Sequence, residues 1–474
     1  MLVYGDQPRR EDPREKLATI ASALVGGNRL HALIEAGELA QGFADVEFGA
    51  RGQDEDTPLQ QAAMALCVAV ARREDARSQI GALAALPLPP HLSVKTPEGY
   101  AFYGLHPQSY AHAAASHAWS GPPFVIGLRS IGTSLAAVVA AAARATDVIT
   151  VRPTGDPFRR ELRLAPALSG RLAAHGGPFA IVDEGPGLSG SSFGSAADLL
   201  EALGVSPGRI VFLPGHDGDL GPEASPAHRA RWRRATRLVS PAEPPSFDDI
   251  PGPTTRCFVG LGAFGEAKLV RAQALHAAGF TPEPLALREG FLLQRRIDGP
   301  AARPTPRRLA AYLRFRRERF PAAPGGSPTE LAEMARINTA ELLGEVAGQA
   351  VQARLAALPL DRARPHAVHV DARLHAANWL GGLKLDALDG SAAHDLVGPQ
   401  DIAWDAAGAA MELGLSRPVT ARLAAEVGAD PVMLQLCEVA YPAFQAGRAV
   451  MFGGEAAPYR ERLAQLAGVT ESVD

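Results

Sequence analysis

The residues best suited to chemistry lie between Phe179 and Phe193, where the chain reads Phe-Ala-Ile-Val-Asp-Glu-Gly-Pro-Gly-Leu-Ser-Gly-Ser-Ser-Phe. Asp183 and Glu184 close a short apolar run, and carboxylates in that place can hold sugar hydroxyls or a metal ion. Behind them, Ser189, Gly190, Ser191 and Ser192 are small residues able to cradle a phosphate against the N–H groups of a helix start. An earlier loop, Arg129-Ser130-Ile131-Gly132-Thr133-Ser134, has the same character and places a guanidinium at its mouth, where it can make charge-assisted bonds to an anion. Between the two loops, Arg152, Arg159 and Arg160 either neutralise such an anion or belong to a solvated basic loop. A third group lies far downstream: Asp371, Asn378 and Asp386 offer an acid near a nucleophile and oxygen ligands for a divalent cation.

Each group needs elements to position it. Phe179 to Val182 reads as a buried parallel strand, and Ser191 or Ser192 opens an amphipathic helix carrying Ala196, Ala197, Leu199, Leu200 and Leu203. Phe124 to Leu128 is another such strand, followed by an Ala/Val-rich helix to about Ala143. Arg209 to Leu213 is a further strand. Ligands of open α/β sheets bind beyond the carboxyl ends of strands, so these loops should share one rim. In the C-terminal half, a strand at Ala367 to Val370 precedes Asp371. A tight Gly381-Gly382 hairpin then sets Asn378 just before its first arm and Asp386 just past its second. Asp401 and Asp405 stand at a helix start, where carboxylates satisfy orphan N–H groups. Gly260, Gly262 and Gly265 form a GxGxxG, but a dinucleotide reading lacks the acid that closes a second strand.

At 474 residues and 47% hydrophobic, the chain is long enough for two large domains. The expected divisions are a helical region over 1–90, an α/β domain over 91–245 and an α+β domain over 246–474. A net charge of −4 excludes a global basic field, so nucleic acid is not expected as a partner. The three cysteines, Cys67, Cys257 and Cys437, lack metal-ligand spacing and favour a reducing compartment. With no signal peptide and no apolar run of membrane length, a soluble cytoplasmic protein is expected, and a homodimer is allowed. Arg9 to Lys16 reads as a solvated terminus. Val94 to Tyr110 reads as a hairpin packed on the core, in preference to an aromatic wall of a substrate pocket. His369, His375 and His394 sit near several acids without helical metal-site spacing.

The strand, acidic pair and Ser/Gly loop at 179–192 resemble the ribose-phosphate signature of type I phosphoribosyltransferases, and Arg129 to Ser134 resembles their pyrophosphate loop. The resemblance covers roughly residues 90 to 220. It implies an N-terminal parallel sheet with helices and catalytic roles for Asp183 and Glu184 at the ribose hydroxyls. It also implies 5′-phosphate contacts from Ser189, Gly190, Ser191 and Ser192, and diphosphate contacts from Arg129, Ser130, Gly132, Thr133 and Ser134. Phosphoribosyl diphosphate would be the substrate, Mg²⁺ the cofactor, and a small-molecule base or nucleotide the partner. The loop here has four residues, Gly185 to Leu188, before Ser-Gly-Ser-Ser, against the usual three. The order Asp371, Asn378, Asp386, then Trp404-Asp405 resembles the aminoglycoside and choline phosphotransferase branch of the kinase-like fold. That implies a catalytic Asp371, metal ligands Asn378 and Asp386, and ATP. Asp371 and Asn378 are seven apart rather than five, and aligning on Asn378 puts Arg373 where the acid belongs. Only Arg256 or Lys268 can stand for the small-lobe lysine. The expected function is Mg-dependent phosphoribosyl transfer to a nucleotide-like metabolite, with a kinase-like domain that phosphorylates or binds a nucleotide. The alternative is a non-catalytic protein that binds nucleotide or ribose phosphate.

Overall fold

Phe124–Leu128, Phe179–Val182 and Ile210–Leu213 are buried at every position, as a parallel sheet covered on both faces requires. The computed structural model that shows this describes residues 1–5, 8–241, 245–388 and 395–469. Asp389 and His394 lie outside the described residues. The chain divides into two units, one of Pro8–Pro245 with Gly260–Phe264, the other of Met1–Gln7, Ser246–Val259 and Gly265–Asp474.

In the first unit the three buried strands join two others in one parallel sheet. We label them β1 (Phe124–Leu128), β2 (Asp147–Val151), β3 (Phe179–Val182), β4 (Ile210–Leu213) and β5 (Thr236–Arg237). Their spatial order is β2-β1-β3-β4-β5, with every neighbouring pair parallel. That order reverses direction between β1 and β3, so helices connecting outward on either side leave a crevice beyond those two carboxyl ends. The helix after β1, Gly132–Ala142, is buried along most of its length, which its Ala/Val sequence permits on all sides. Leu168, Leu172, Phe193, Ala196, Ala197, Leu200 and Trp232 complete the core with the sheet residues.

Two expectations for the N-terminal part change. Leu92–Val94 does form a strand, but it pairs with Arg9–Glu11, and the rest of the expected hairpin is helical over Glu98–Ala101 and Pro107–Ser116. Pro107 at a helix start loses nothing, because its missing N–H would have had no intrahelical partner. Nor is Lys16 solvated. It is buried, with Nζ 2.7 Å from Glu11, 2.6 Å from Glu35 and 2.7 Å from Glu38. These three carboxylates converge as metal ligands do, but the ammonium is the cation they surround. An ion so buried persists only with counter-charges, and the sequence spacing hides that two of them, Glu35 and Glu38, come from the next helix, Arg29–Arg51.

The second unit holds a three-stranded antiparallel sheet, Thr254–Phe258 against Phe291–Arg295 against Pro284–Arg288. A larger helical body has Tyr312, Trp379, Trp404 and Tyr441 in its core. The strand expected at Ala367 to Val370 shrinks to Ala367–Val368, paired with Gln400–Asp401. The short hairpin Trp379–Leu380 with Leu383–Lys384 turns through Gly381 (φ 54°) and Gly382 (φ 84°), the left-handed pair that a two-residue hairpin loop demands. No helix among the described residues is long and apolar enough to cross a membrane.

Candidate functional site

Both small-residue loops leave the carboxyl ends of adjacent strands, β1 and β3, at the order reversal. They pack tightly there. A Cβ added to Gly132 would stand 2.7 Å from the Val182 carbonyl oxygen and 3.6 Å from the Asp183 carboxylate, so only glycine lets the first loop lie against the second. Tyr110 Oη donates to the Asp183 carbonyl at 2.7 Å, and the Gly215 N–H donates to the Glu184 carbonyl at 2.7 Å, fixing the backbone of the pair from both sides. Desolvation pushes the Asp183 carboxyl up to about 7, although the Glu184 N–H and Arg152 work against it. Glu184 is pushed up to about 8 by burial and by the nearby charges of Asp183 and Glu98. Paired acids so displaced are common at functional sites, because each can then exchange a proton near neutrality. Beyond β4, a cavity of about 130 Å³ is lined by Tyr103, His106, Ser109, Tyr110, Pro214 and Gly215, among others. Tyr103 and Tyr110 thus do line a cavity, though one small beside the roughly 300–1,000 Å³ of ordinary ligand pockets.

Arg129 departs from its expected role. Its side chain is wholly buried. Nε donates to Asp45 at 2.9 Å, Nη1 to the Thr150 carbonyl at 3.2 Å, and Nη2 to Asp54. Arg152 joins the same cluster, bonding Asp45 through Nε at 2.9 Å and also through Nη2, and the Arg129 carbonyl through Nη1 at 3.0 Å. The two arginines therefore brace the loop from behind, with donors already committed to carboxylates on the segment 45–54. Ser134 is likewise corrected: it is buried, and its hydroxyl lies 2.9 Å from Tyr100 Oη and 3.2 Å from the Ile131 carbonyl. Thr133 is buried with its hydroxyl unpaired. Ser130 is half-buried, and Gly132 is buried against the Val182 carbonyl. Sequence proximity put Arg129 beside the loop but carried no sign of Asp45 and Asp54, which arrive from another part of the chain.

The second loop keeps its Ser/Gly character in an unexpected contact. Ser189 Oγ donates to Ser191 Oγ at 2.9 Å, and the Ser191 hydroxyl donates to the Pro157 carbonyl at 3.0 Å. Pro157 is in the turn of a hairpin formed by Thr154–Asp156 and Arg159–Glu161. Gly190 caps the helix Ser191–Ala202 in the left-handed region (φ 65°), and a Cβ there would fall 2.8 Å from the Leu220 side chain. Ser192, half-buried, is the second helical residue.

In the second unit the acid expected to be catalytic is enclosed. Asp371 has no exposed side-chain surface. It accepts from Tyr312 Oη and the Arg373 N–H (3.0 Å), and lies 3.2 Å from the buried Lys384 ammonium. Burial works against its charge, yet Lys384, Arg316 and Tyr312 hold the carboxyl below its ordinary value. Asp405 accepts the Asp371 and Ala372 N–H groups at 2.8 and 2.9 Å, and burial together with Asp371 lifts it to about 6. Asp401 accepts from the N–H groups of His366 and Ala403, both at 2.9 Å. These three acids are buried, and their carboxylates hold the backbone of the loop. At the mouth, Asn378 Nδ2 donates to the Arg373 carbonyl (3.1 Å), and the Arg373 guanidinium lies 3.1 Å from the exposed Asp386. Asp386 is thus paired with Arg373, from the position expected to hold the acid, in an ion pair whose two side chains are both exposed. Sequence reasoning missed a separate dyad. His375 Nδ1 meets Glu412 at 2.6 Å, and the other Glu412 oxygen accepts from Tyr441 (3.0 Å) and Tyr459 (2.8 Å). A carboxylate so held orients an imidazole that remains 44% exposed, an arrangement suited to proton transfer.

No family model matches the chain, and no curated protein does either. Among solved structures, choline kinase LicA from Streptococcus pneumoniae is similar at 13% identity and a TM-score of 0.31, over 44% of this chain and 84% of that one. Likeness at that level decides neither fold nor chemistry, so the functional reading below rests on geometry.

Proposed function

We propose that the parallel-sheet unit binds phosphoribosyl diphosphate and transfers its phosphoribosyl group to a small base-like nucleophile. The observation that carries this reading is the meeting of the Ser130–Gly132 loop with the Asp183-Glu184 pair at the order reversal of the sheet, close enough that a single Cβ would part them. The acidic pair would face the ribose hydroxyls. The Ser189–Ser192 loop, opening a 12-residue helix, would take the 5′-phosphate on its backbone N–H groups. Mg²⁺ would offset the charge of the diphosphate, with Asp183 and Glu184 as the carboxylates able to face it. Arg129 has no part in this version, because its donors are spent on Asp45 and Asp54.

That same commitment favours a second reading. With Arg129 and Arg152 both bound to protein carboxylates, two of the four arginines expected near a departing diphosphate are already committed, and the unit would bind ribose phosphates without turning them over. The second unit enters either reading as a supporting or nucleotide-binding body, since its expected catalytic acid is enclosed. Ser192→Glu tests the site: an acid at a helix start is tolerated by the helix but repels a phosphate. Calorimetry should show at least a tenfold loss of phosphoribosyl diphosphate affinity in a variant of unchanged melting temperature. Unchanged affinity would reject the site. Pyrophosphate release across a panel of bases would select transfer over binding alone.

A further inference from the structure

We propose that the hairpin Thr154–Glu161 is an autoinhibitory plug for the phosphate loop, an inference that rests on the assignment of that loop to a phosphate. A phosphate-binding hydroxyl must donate to an anionic oxygen. Here the hydroxyls of Ser189 and Ser191 are both buried and form a relay that ends on one protein oxygen: Ser189 donates to Ser191 at 2.9 Å, and Ser191 donates to the Pro157 carbonyl at 3.0 Å. The carbonyl thus takes the acceptor's place at the end of this relay. The turn that presents it is held by its own contacts: the Phe158 N–H donates to Asp156 Oδ1 at 2.8 Å, and Arg160 Nη1 donates to the Gly155 carbonyl at 2.9 Å. Its outer surface is solvated, with Phe158 and Arg159 exposed.

A neutral hydrogen bond to a carbonyl is weaker than the charge-assisted bonds an anion makes to the same hydroxyls, so the anion displaces the hairpin. Until then the apparent affinity is the intrinsic affinity reduced by the fraction of molecules with the hairpin lifted. Ligand entry should therefore release the hairpin, the reverse of a lid that closes over its ligand.

Limited trypsin digestion of the full chain, read by mass spectrometry at the bonds after Arg159 and Arg160, tests this with inorganic phosphate as the probe and sodium chloride at matched ionic strength as the control. Phosphate should speed cleavage at these bonds severalfold, and Ser191→Ala should do so without phosphate. Asp156→Ala, which loosens the turn while keeping both arginines, should tighten phosphate binding severalfold by calorimetry. Phosphate that binds but slows or leaves unchanged the cleavage overturns the plug and spares the phosphate site. Absence of phosphate binding in wild type and in Asp156→Ala overturns the site, and the plug with it.

Discussion

Replacing Arg129 by alanine separates a bracing role from a ligand-binding one. In the structure the Arg129 and Asp54 side chains are both wholly buried, and Asp45 is about four-fifths so. Truncation would leave Asp54 facing only the Arg152 N–H (2.7 Å), and would leave Asp45 to Arg152 and Gln41. Breaking one side of a buried ion pair costs about 3–5 kcal/mol, because the remaining charge is stranded. For a unit of this size, with roughly 2–4 °C per kcal/mol, the melting temperature should fall by about 6–20 °C. Hydrogen exchange should localise the loss to β1, β2 and the segment 45–54. Asp54→Asn in the Arg129→Ala background should recover part of it, since the stranded charge is gone and adjacent sites are not additive. A ligand-binding Arg129 predicts the opposite pattern: intact stability and a roughly ten- to hundredfold loss of diphosphate affinity. An Arg129→Ala protein that melts with wild type would refute the bracing argument.

Asp183 and Glu184 make stability depend on pH. Their folded values of about 7 and about 8 lie above the ordinary carboxyl range, so between about pH 4 and 8 the folded chain holds more protons than the unfolded one, and stability falls as pH rises. Asp183→Asn should flatten the drop in melting temperature between pH 5 and pH 8.5; an unchanged slope would show that this carboxyl is not desolvated. Lys384→Met should cost about 3–5 kcal/mol in urea unfolding by stranding Asp371, whereas a loss under about 1 kcal/mol would mean that the pair is not buried as described. Arg373→Ala should let Asn378 and Asp386 bind Mg²⁺ measurably where wild type does not. Equal Mg²⁺ affinity in the two proteins would remove the case that Arg373 blocks the site. Thr133→Val should leave stability unchanged or raised, because its buried hydroxyl lacks a partner, and a loss beyond about 1 kcal/mol would show that a hydrogen bond exists there.

The sequence by itself determined the sheet unit's skeleton. A short apolar run such as Phe179 to Val182, bounded by polar and small residues, fits a covered strand with a loop at its end, so the two loops and the acidic pair were legible from local pattern. The tight Gly381-Gly382 turn was legible for the same reason, since few residues tolerate its dihedrals. What the tertiary structure decided was which polar groups are free. Arg129 looks like an anion ligand until Asp45 and Asp54 arrive from a helix and loop far earlier in the chain. Asp371 looks catalytic until Lys384 and Tyr312 enclose it. Lys16 looks solvated until Glu35 and Glu38 surround it, and the Ser191 hydroxyl looks open until the Pro157 carbonyl takes it. Strand and helix formation respond to neighbours in sequence. A charge or a hydroxyl responds to whatever lies within about 3 Å in space, and those partners come from segments that only the folded chain brings together.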